Sequence, residues 1–384
     1  MSRSINGNSA GNSNLFKHHQ FAGSLKLMLI LPAQVSPMKF ITYPLLPFSF
    51  LYGGITSTRN WLYDRALLSS YQFPVPVINV GNLSVGGTGK TPHIEYLVRI
   101  LTGKKIAVLS RGYKRKTTGF ILATASESAV TLGDEPYQYF KKFPEIAVAV
   151  CEDRVKGINQ LLALMPKLQV ILLDDAFQHR PVQAHLNILI TDYNRLFFRD
   201  QLLPAGHLRE SRAGAQRADV VVVSKSPAEL PSEEAQDLKS KIQLYIKQGV
   251  PVYFSHYRYE TPVAFGTSAF CQKKILLLTG IAQPASLLKY LKDTGYEVVK
   301  HFNFPDHYAY QQQDIREIYN FAKNTENCSI LTTEKDWVKL AAPAFQEQIR
   351  QMPIFYIPIV VAFSREGEKF NQLIANTVSA LPIV

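Results

Sequence analysis

The stretch from Val75 to Thr91, V-P-V-I-N-V-G-N-L-S-V-G-G-T-G-K-T, constrains this chain more than any other. The apolar run Val75 to Val80 has the length and β-branched content of a buried strand. It enters a loop carrying Gly86, Gly87 and Gly89, closes with Lys90-Thr91, and is followed by a segment of helical period. Strand, glycine-rich loop and helix in that order make a phosphate cradle. The glycines let backbone N–H groups approach an anion, the lysine reaches the β- and γ-phosphates, and a Thr hydroxyl can hold Mg²⁺. Ser84, Val85, Gly86, Gly87, Thr88, Gly89, Lys90 and Thr91 are therefore the nucleotide-binding candidates. Ser84 occupies a position where the usual spacing has glycine. The plainer alternative is a glycine-rich turn before a helix, and the closing Lys-Thr after a strand argues against it.

Downstream, apolar runs alternate with helix-period segments. Strands are expected at Lys105–Leu109, Ile146–Val150, Gln169–Leu173, Leu186–Thr191 and Asp219–Ser224, with helices between them. That alternation predicts an α/β fold, a mostly parallel P-loop-type sheet with helices on both faces. Ligands in such sheets bind beyond the carboxyl ends of the strands. Ser110-Arg111-Gly112-Tyr113 and Asp174-Asp175 stand at two such ends. The acidic pair has the form of a strand-borne carboxylate that holds Mg²⁺ or its water. Gln178 and His179 follow it closely. Leu132-Gly133-Asp134-Glu135-Pro136 is a turn before a helix, where an Asp is most often a cap.

A second, smaller α/β unit is expected from Lys274, with a strand linker before it and a return strand, Ile354 to Val361, pairing with that linker. The expected organisation is 1–37 as an extension, 38–68 as an apolar segment, 69–250 as the phosphate-loop domain, 251–270 as linker, 271–352 as the smaller C-terminal lobe and 353–384 as return strand and tail. Residues 1 to 20 are rich in Ser, Asn and Gly and read as disordered. Phe40 to Thr58 carries no charge but is broken by Pro44, Pro47, Gly53 and Gly54. It is read as a shallow or interfacial membrane anchor, with a short apolar run, Leu25 to Leu31, upstream. The alternative is a buried hairpin. Met38 is a second possible start.

With 384 residues, 46% hydrophobic and 19% charged, the chain can bury a full core, and its formal charge of +12 suits an anionic partner. Three cysteines, widely spaced and without a C-x-x-C, give no disulfide or zinc framework.

Taken together, V-G-N-L-S-V-G-G-T-G-K-T-P, S-R-G-Y, G-D-E-P, D-R, D-D-A-F-Q-H, L-P-A-G-H-L-R-E, F-P-D-H-Y and T-E-K-D, in that order from about Pro44 to Leu340, resemble the tetraacyldisaccharide 4′-kinase family of lipid A biosynthesis. The family's D-D-G-F-Q-H has Ala176 here in place of glycine. The resemblance implies transfer of ATP's γ-phosphoryl group, with Mg²⁺, to the 4′-hydroxyl of a lipid A disaccharide 1-phosphate precursor. It implies the cytoplasmic face of the inner membrane, with a membrane surface but no nucleic acid or protein as partner. Asp134 resembles the catalytic base and His307 its partner from the second lobe, with Lys90 on the phosphates. Thr91, Asp174, Asp175 and Glu210 resemble the metal side. Gln178 and His179 fall on the nucleotide side. Arg111, Tyr113, Glu135, Arg154 and Arg209 fall on the substrate or phosphate side.

Two other classes compete. One is another phosphate-loop kinase or ATPase acting on a small soluble substrate, which needs neither an apolar N-terminus nor an Asp-His loop. The other is a nucleic-acid-binding ATPase, suggested by charge alone and lacking a recognition helix or an interleaved aromatic-basic surface.

Overall fold

The computed structural model describes residues 43–267, 271–306 and 308–380. The expected extension at 1–37, the run Leu25–Leu31, Met38 and His307 lie outside the described residues.

Two sheets organise the chain. The larger has nine strands in the order β14-β8-β7-β6-β1-β5-β2-β4-β3. Its centre is β1 (Val77–Gly81), flanked in parallel by β5 (Val170–Asp174) and β6 (Leu186–Asp192). β2 (Ile106–Ser110), β4 (Ala147–Val150), β7 (Val220–Ser224) and β8 (Val252–Tyr259) continue the parallel array. The edges β3 (Ile121–Leu122) and β14 (Ile359–Phe363) are antiparallel. The central strands read as nearly unbroken apolar runs because both faces are covered. Alternate side chains divide between two cores. Ile78, Val108 and Leu172 pack with Ile94 and Leu97 of α2 (Lys90–Ile100). Val77, Leu109 and Ile171 pack with Ile158 and Leu161 of α4 (Arg154–Leu164) on the other face. α3 (Asp134–Lys142) lies on the α2 side, where Tyr139 is fully buried, and α5 (Ser232–Gln243) covers β7 and β8 through Leu238 and Ile242.

The smaller sheet runs β11-β10-β12-β13-β9. Its parallel strands are β10 (Lys274–Thr279), β11 (Glu297–Asn303), β12 (Cys328–Thr333) and β13 (Ile354–Ile357), with β9 (Val263–Ala264) antiparallel at the edge. Helices α6 (Ala285–Asp293), α7 (Gln312–Lys323) and α8 (Glu334–Leu340) belong to this lobe, and α9 (Gly367–Ser379) packs back on the larger sheet through Phe370 and Ile374.

The fold class is as expected, with two local differences. The run from Ile354 to Val361 is two strands, not one. Pro358 lacks an N–H and breaks it, so β13 stays in the small sheet while β14 pairs antiparallel with β8 in the large one. β8, assigned from sequence to the linker, is itself a strand of the large sheet.

The apolar N-terminal segment is a helix, α1 (Leu46–Asp64), rather than a hairpin. Pro47 falls in its first turn, where a missing N–H costs nothing. Gly53 is used for close packing, since a Cβ there would stand 2.7 Å from Leu202 Cδ1. Among the described residues no helix is long and apolar enough to cross a membrane.

Candidate active site

The carboxyl ends of β1, β2, β4, β5, β6 and β7 open on one edge of the large sheet, and the expected site residues collect there. β1 delivers the loop Asn82–Gly89. Gly86 and Gly89 have φ of 96° and 95°, which only glycine takes without strain. Gly89 is doubly required, because a Cβ there would overlap the Tyr257 hydroxyl from β8. Ser84 needs no such freedom. It pairs with Leu208 in an isolated bridge, so the missing glycine at that position costs no backbone strain.

The loop is held from behind. Asn82 Nδ2 donates to Thr88 Oγ1 at 2.7 Å, and Ser224 Oγ donates to the Thr88 carbonyl at 2.6 Å. Val85 N donates to the His207 carbonyl and Arg195 to the Val85 carbonyl, both at 2.8 Å. Lys225 Nζ donates to the Gly87 carbonyl at 2.5 Å while pairing with Asp192 at 2.7 Å. His93 bridges the Gly89 carbonyl, at 2.7 Å, to Ser255 Oγ, at 2.9 Å. Burial holds the imidazole neutral, its pKa lowered to about 4. Such fastening pre-forms the loop as a cradle suited to an anion.

The two adjacent carboxylates at the end of β5 have different surroundings. Asp175 takes a left-handed conformation, φ 54°, which Asp tolerates better than most residues. This turns its side chain toward Lys90 Nζ at 3.5 Å and Arg209 Nη1, which reaches both oxygens at 2.9 Å. Burial would raise its pKa, but Lys90 and Arg209 outweigh it, so the carboxyl lies below the ordinary value. Asp174 is buried, and burial and then the Asp175 charge push it up to about 7. Its Oδ2 accepts from Tyr139 Oη at 3.2 Å, and its Oδ1 has no partner among the described residues. Ala176 keeps a negative φ; the strained position is Asp175, so alanine replaces glycine there without backbone cost.

Several expected ligand-facing groups are turned to other work. Arg154 is buried, and its guanidinium ties the carbonyls of Cys151, Glu152 and Asp175 rather than facing outward. His179 sits beside it and accepts from Arg154 N at 3.3 Å; burial, then Arg154, lowers its pKa to about 4. Glu210 was expected on the metal side, yet Asn60, Gln178 and Arg217 already donate to its oxygens at 2.7, 2.9 and 2.7 Å. Gln178 also donates to the Asn82 carbonyl at 2.8 Å, so Glu210 and Gln178 brace the loop against α1. Among the described residues no three His, Cys, Asp or Glu side chains gather as a ready metal cage.

Asp134 opens α3, after Gly133 at φ 95°. Glycine there lets the turn pass under the loop after β2, where a Cβ would stand 3.0 Å from the Tyr113 carbonyl. Arg111 and Tyr113 are exposed on that loop. Glu135, next on α3, adds to the negative field on Asp174. Lys339 of α8 reaches Asp134 Oδ2 at 3.6 Å. Lys142, at the other end of α3, sits between Glu95 of α2, at 2.6 Å, and Glu334 of α8. Neither Lys339 nor the Lys142 bridge was singled out from sequence. His93 and Lys225 were legible in hindsight, the first one helical turn after Gly89 and the second just past the end of β7.

Residues 41–379 match the family model described as tetraacyldisaccharide-1-P 4′-kinase. The chain is 45% identical over 349 residues to a tetraacyldisaccharide 4′-kinase of Flavobacterium psychrophilum, covering 89% of this chain and 98% of that one. It is 43% identical over 355 residues to the protein of the same name from Bacteroides thetaiotaomicron, covering 87% of this chain and 92% of that one. Among solved structures it is similar to an "apo" form LpxK of Aquifex aeolicus in complex with ATP. The TM-score is 0.68 at 33% identity, over 88% of this chain and 99% of that one.

Proposed function

The chain belongs to the tetraacyldisaccharide-1-P 4′-kinase family, and on that premise we propose which of its groups hold ATP, which act on the acceptor, and where the reaction takes place. The enzyme is an ATP-dependent lipid kinase that phosphorylates the 4′-hydroxyl of a tetraacyldisaccharide 1-phosphate, a lipid A precursor, to give lipid IVA. Family membership sets aside the alternative of a small soluble substrate. The observation that carries the site assignment is the convergence of Lys90, Asp175 and Asp174 at the mouth of a fastened glycine-rich loop.

In phosphoryl transfer, positioning and charge neutralisation supply most of the catalysis. Lys90 takes the β- and γ-phosphates. Its pairing with Asp175 fixes its direction before nucleotide arrives. The donor set suits Mg²⁺, which is commonly bound by one or two carboxylates together with substrate phosphates rather than by an all-protein cage. Asp174 offers a buried oxygen without a partner among the described residues, and Thr91, on the first turn of α2, offers a hydroxyl. When bound, Mg²⁺ would offset the negative charge of the β- and γ-phosphates. Asp175 anchors Lys90 and Arg209, and Glu210 braces the loop through Asn60, Gln178 and Arg217. Asp134 takes the proton of the attacking hydroxyl, with His307 as its partner, and Arg111 and Tyr113 line the acceptor side.

The reaction runs at the surface of the inner membrane, on its cytoplasmic side. One stripe of α1 is docked: Ser49 bonds the Leu202 carbonyl at 3.1 Å, Tyr52 the Arg209 carbonyl at 2.6 Å, and Asn60 bonds Glu210. The opposite surface leaves Phe48, Phe50, Leu51 and Ile55 more than 60% exposed. An apolar helix face of that kind suits a headgroup–acyl boundary, and the acceptor is itself anchored there.

The test is transfer from radiolabelled ATP to purified lipid disaccharide 1-phosphate. A bisphosphorylated lipid is expected, and Asp134→Ala should lower kcat by about 10²–10⁴ with ATP binding little changed. Comparable turnover in that variant would place the base elsewhere.

A further inference from the structure

We infer that Lys339 is a positioning residue for Asp134, holding the carboxylate of the general base ionised and aimed, and so tying its readiness to the seating of the second lobe. The inference rests on Asp134 being the base.

α8 lies along α3 with the two helices pinned at both ends. Glu334, at the start of α8, meets Lys142 in the last turn of α3, and Lys339, near the end of α8, meets Asp134 at the start of α3. Between the pins, Val338 packs among Leu132, Tyr137 and Val150. α8 is therefore seated rigidly on the helix that carries Asp134, although the two belong to different sheets. The side chain of Lys339 is only 10% exposed, between the buried neighbours Val338 and Leu340. Its ammonium has no hydrogen-bond acceptor within reach among the described residues, and its ion pair to Asp134 spans 3.6 Å.

That is a poor arrangement for stability alone. A buried ammonium loses its hydration, and one long pair returns little of it. Lys142, by contrast, is met by two carboxylates. A buried cation left with donors to spare beside a catalytic carboxylate is suited to act on that carboxylate. The cation favours the ionised form of Asp134 and draws its Oδ2 toward α8, fixing how the carboxylate is aimed. An opposite charge within about 4–6 Å moves a carboxyl by about 1–3 pH units. Among the described residues, Glu135 follows Asp134 on the same helix and Tyr113 lies on the loop after β2 that packs against Gly133. The Glu135 carboxylate beside it opposes ionisation of Asp134, which sharpens the need for a local cation.

The experiment compares Lys339→Met, Lys339→Arg, Asp134→Ala and the Asp134→Ala/Lys339→Met double variant as full chains in the lipid-kinase assay, with pH profiles of kcat/KM. Lys339→Met should lose about 10- to 100-fold in kcat with the KM for ATP unchanged. Its acid limb should move up by about one pH unit or more, since the carboxyl is easier to protonate without the cation. Lys339→Arg should keep the limb in place and recover most of the rate. In the Asp134→Ala background, Lys339→Met should add nothing. Where Lys339→Met does not fold, Lys339→Gln carries the same readouts. An unmoved acid limb overturns the inference. So does multiplication of the two losses in the double variant, which would assign Lys339 to the phosphates. Full activity of Asp134→Ala would instead defeat the base assignment itself, whatever Lys339 does.

Discussion

Lys142 on α3 and Glu334 on α8 form an ion pair that joins the helix bearing Asp134 to the second lobe, with both side chains largely withdrawn from solvent. Glu95 approaches the same ammonium from the phosphate-loop helix at 2.6 Å, and Gln138 and Arg99 complete its contacts. One lysine on α3 thus faces two buried carboxylates, one from α2 and one from α8. Removing it leaves Glu334 without a cation and Glu95 with Arg99 alone, among the described residues. Lys142→Met should destabilise the protein by about 3–5 kcal/mol, the scale for breaking a buried pair by deleting one partner. Urea unfolding checks this. A loss under about 1 kcal/mol would mean that water already screens the cluster.

The same cluster sets a pH dependence. Burial first, and then the Glu95 charge, raise the pKa of Glu334. A carboxyl whose folded pKa is raised binds its proton more tightly in the native state than in the unfolded chain. Its contribution to stability is complete below the ordinary glutamate value near about 4.3 and is lost as pH climbs through the raised folded value. His93 runs the opposite way. Its folded value of about 4 means that its contribution is complete above the ordinary histidine value and is lost as pH falls. The raw profile mixes the two, so the difference between Glu334→Gln and wild type is the measurement. The variant should gain relative stability from about pH 5 to about pH 8. A flat difference would place the Glu334 pKa in its usual range.

Gly89 offers a sharper probe of the loop. Alanine there meets both a φ of 95° and the Tyr257 hydroxyl. Gly89→Ala should abolish measurable ATP binding, because the amide that follows shifts with the backbone. The two costs are separable. Tyr257→Phe removes the overlapping oxygen but not the left-handed strain, which is of order 1–3 kcal/mol. Gly89→Ala/Tyr257→Phe should therefore recover part of the ATP affinity and never all of it, by calorimetry. Complete recovery would show that the conformation carries no cost.

The larger sheet was legible in the sequence because each strand there is a short apolar run with its functional residues directly after it. Val220 to Ser224 reads as a strand in any context, and Asp174-Asp175 follows Val170–Leu173 as a strand-borne acidic pair must. What the sequence hid were relations across long separations. Lys339 looks like an ordinary charge on a short helix until α8 is laid on α3. Glu210 looks like a metal-side acid until Asn60, Gln178 and Arg217 are found already bonded to it. Period and spacing report which face of its own element a residue occupies, and carry nothing about which distant element covers that face. The helix α1 was missed as a helix for a related reason. Its prolines and glycines signal a break, but Pro47 sits in the first turn and Gly53 is packed against Leu202.

The exposed surface of α1 gives the last prediction. Phe50, Leu51 and Ile55 are 77%, 66% and 63% exposed, while Ser49 and Gly53, on the docked stripe, are buried. A triple change, Phe50→Ser/Leu51→Ser/Ile55→Ser, alters the free face and leaves the docked stripe intact, so the fold and the fastening of Glu210 should persist. Each large apolar side chain is worth about 1.5–3 kcal/mol when fully buried, and insertion at an interface realises only part of that. The variant should bind anionic vesicles at least about tenfold more weakly. Its turnover should fall on acceptor presented in vesicles and hold on acceptor dispersed in detergent, because only the first requires the enzyme to meet a surface. Equal loss in both formats would mean that these side chains serve the active site rather than the bilayer, and unchanged vesicle binding would remove α1 from the membrane contact altogether.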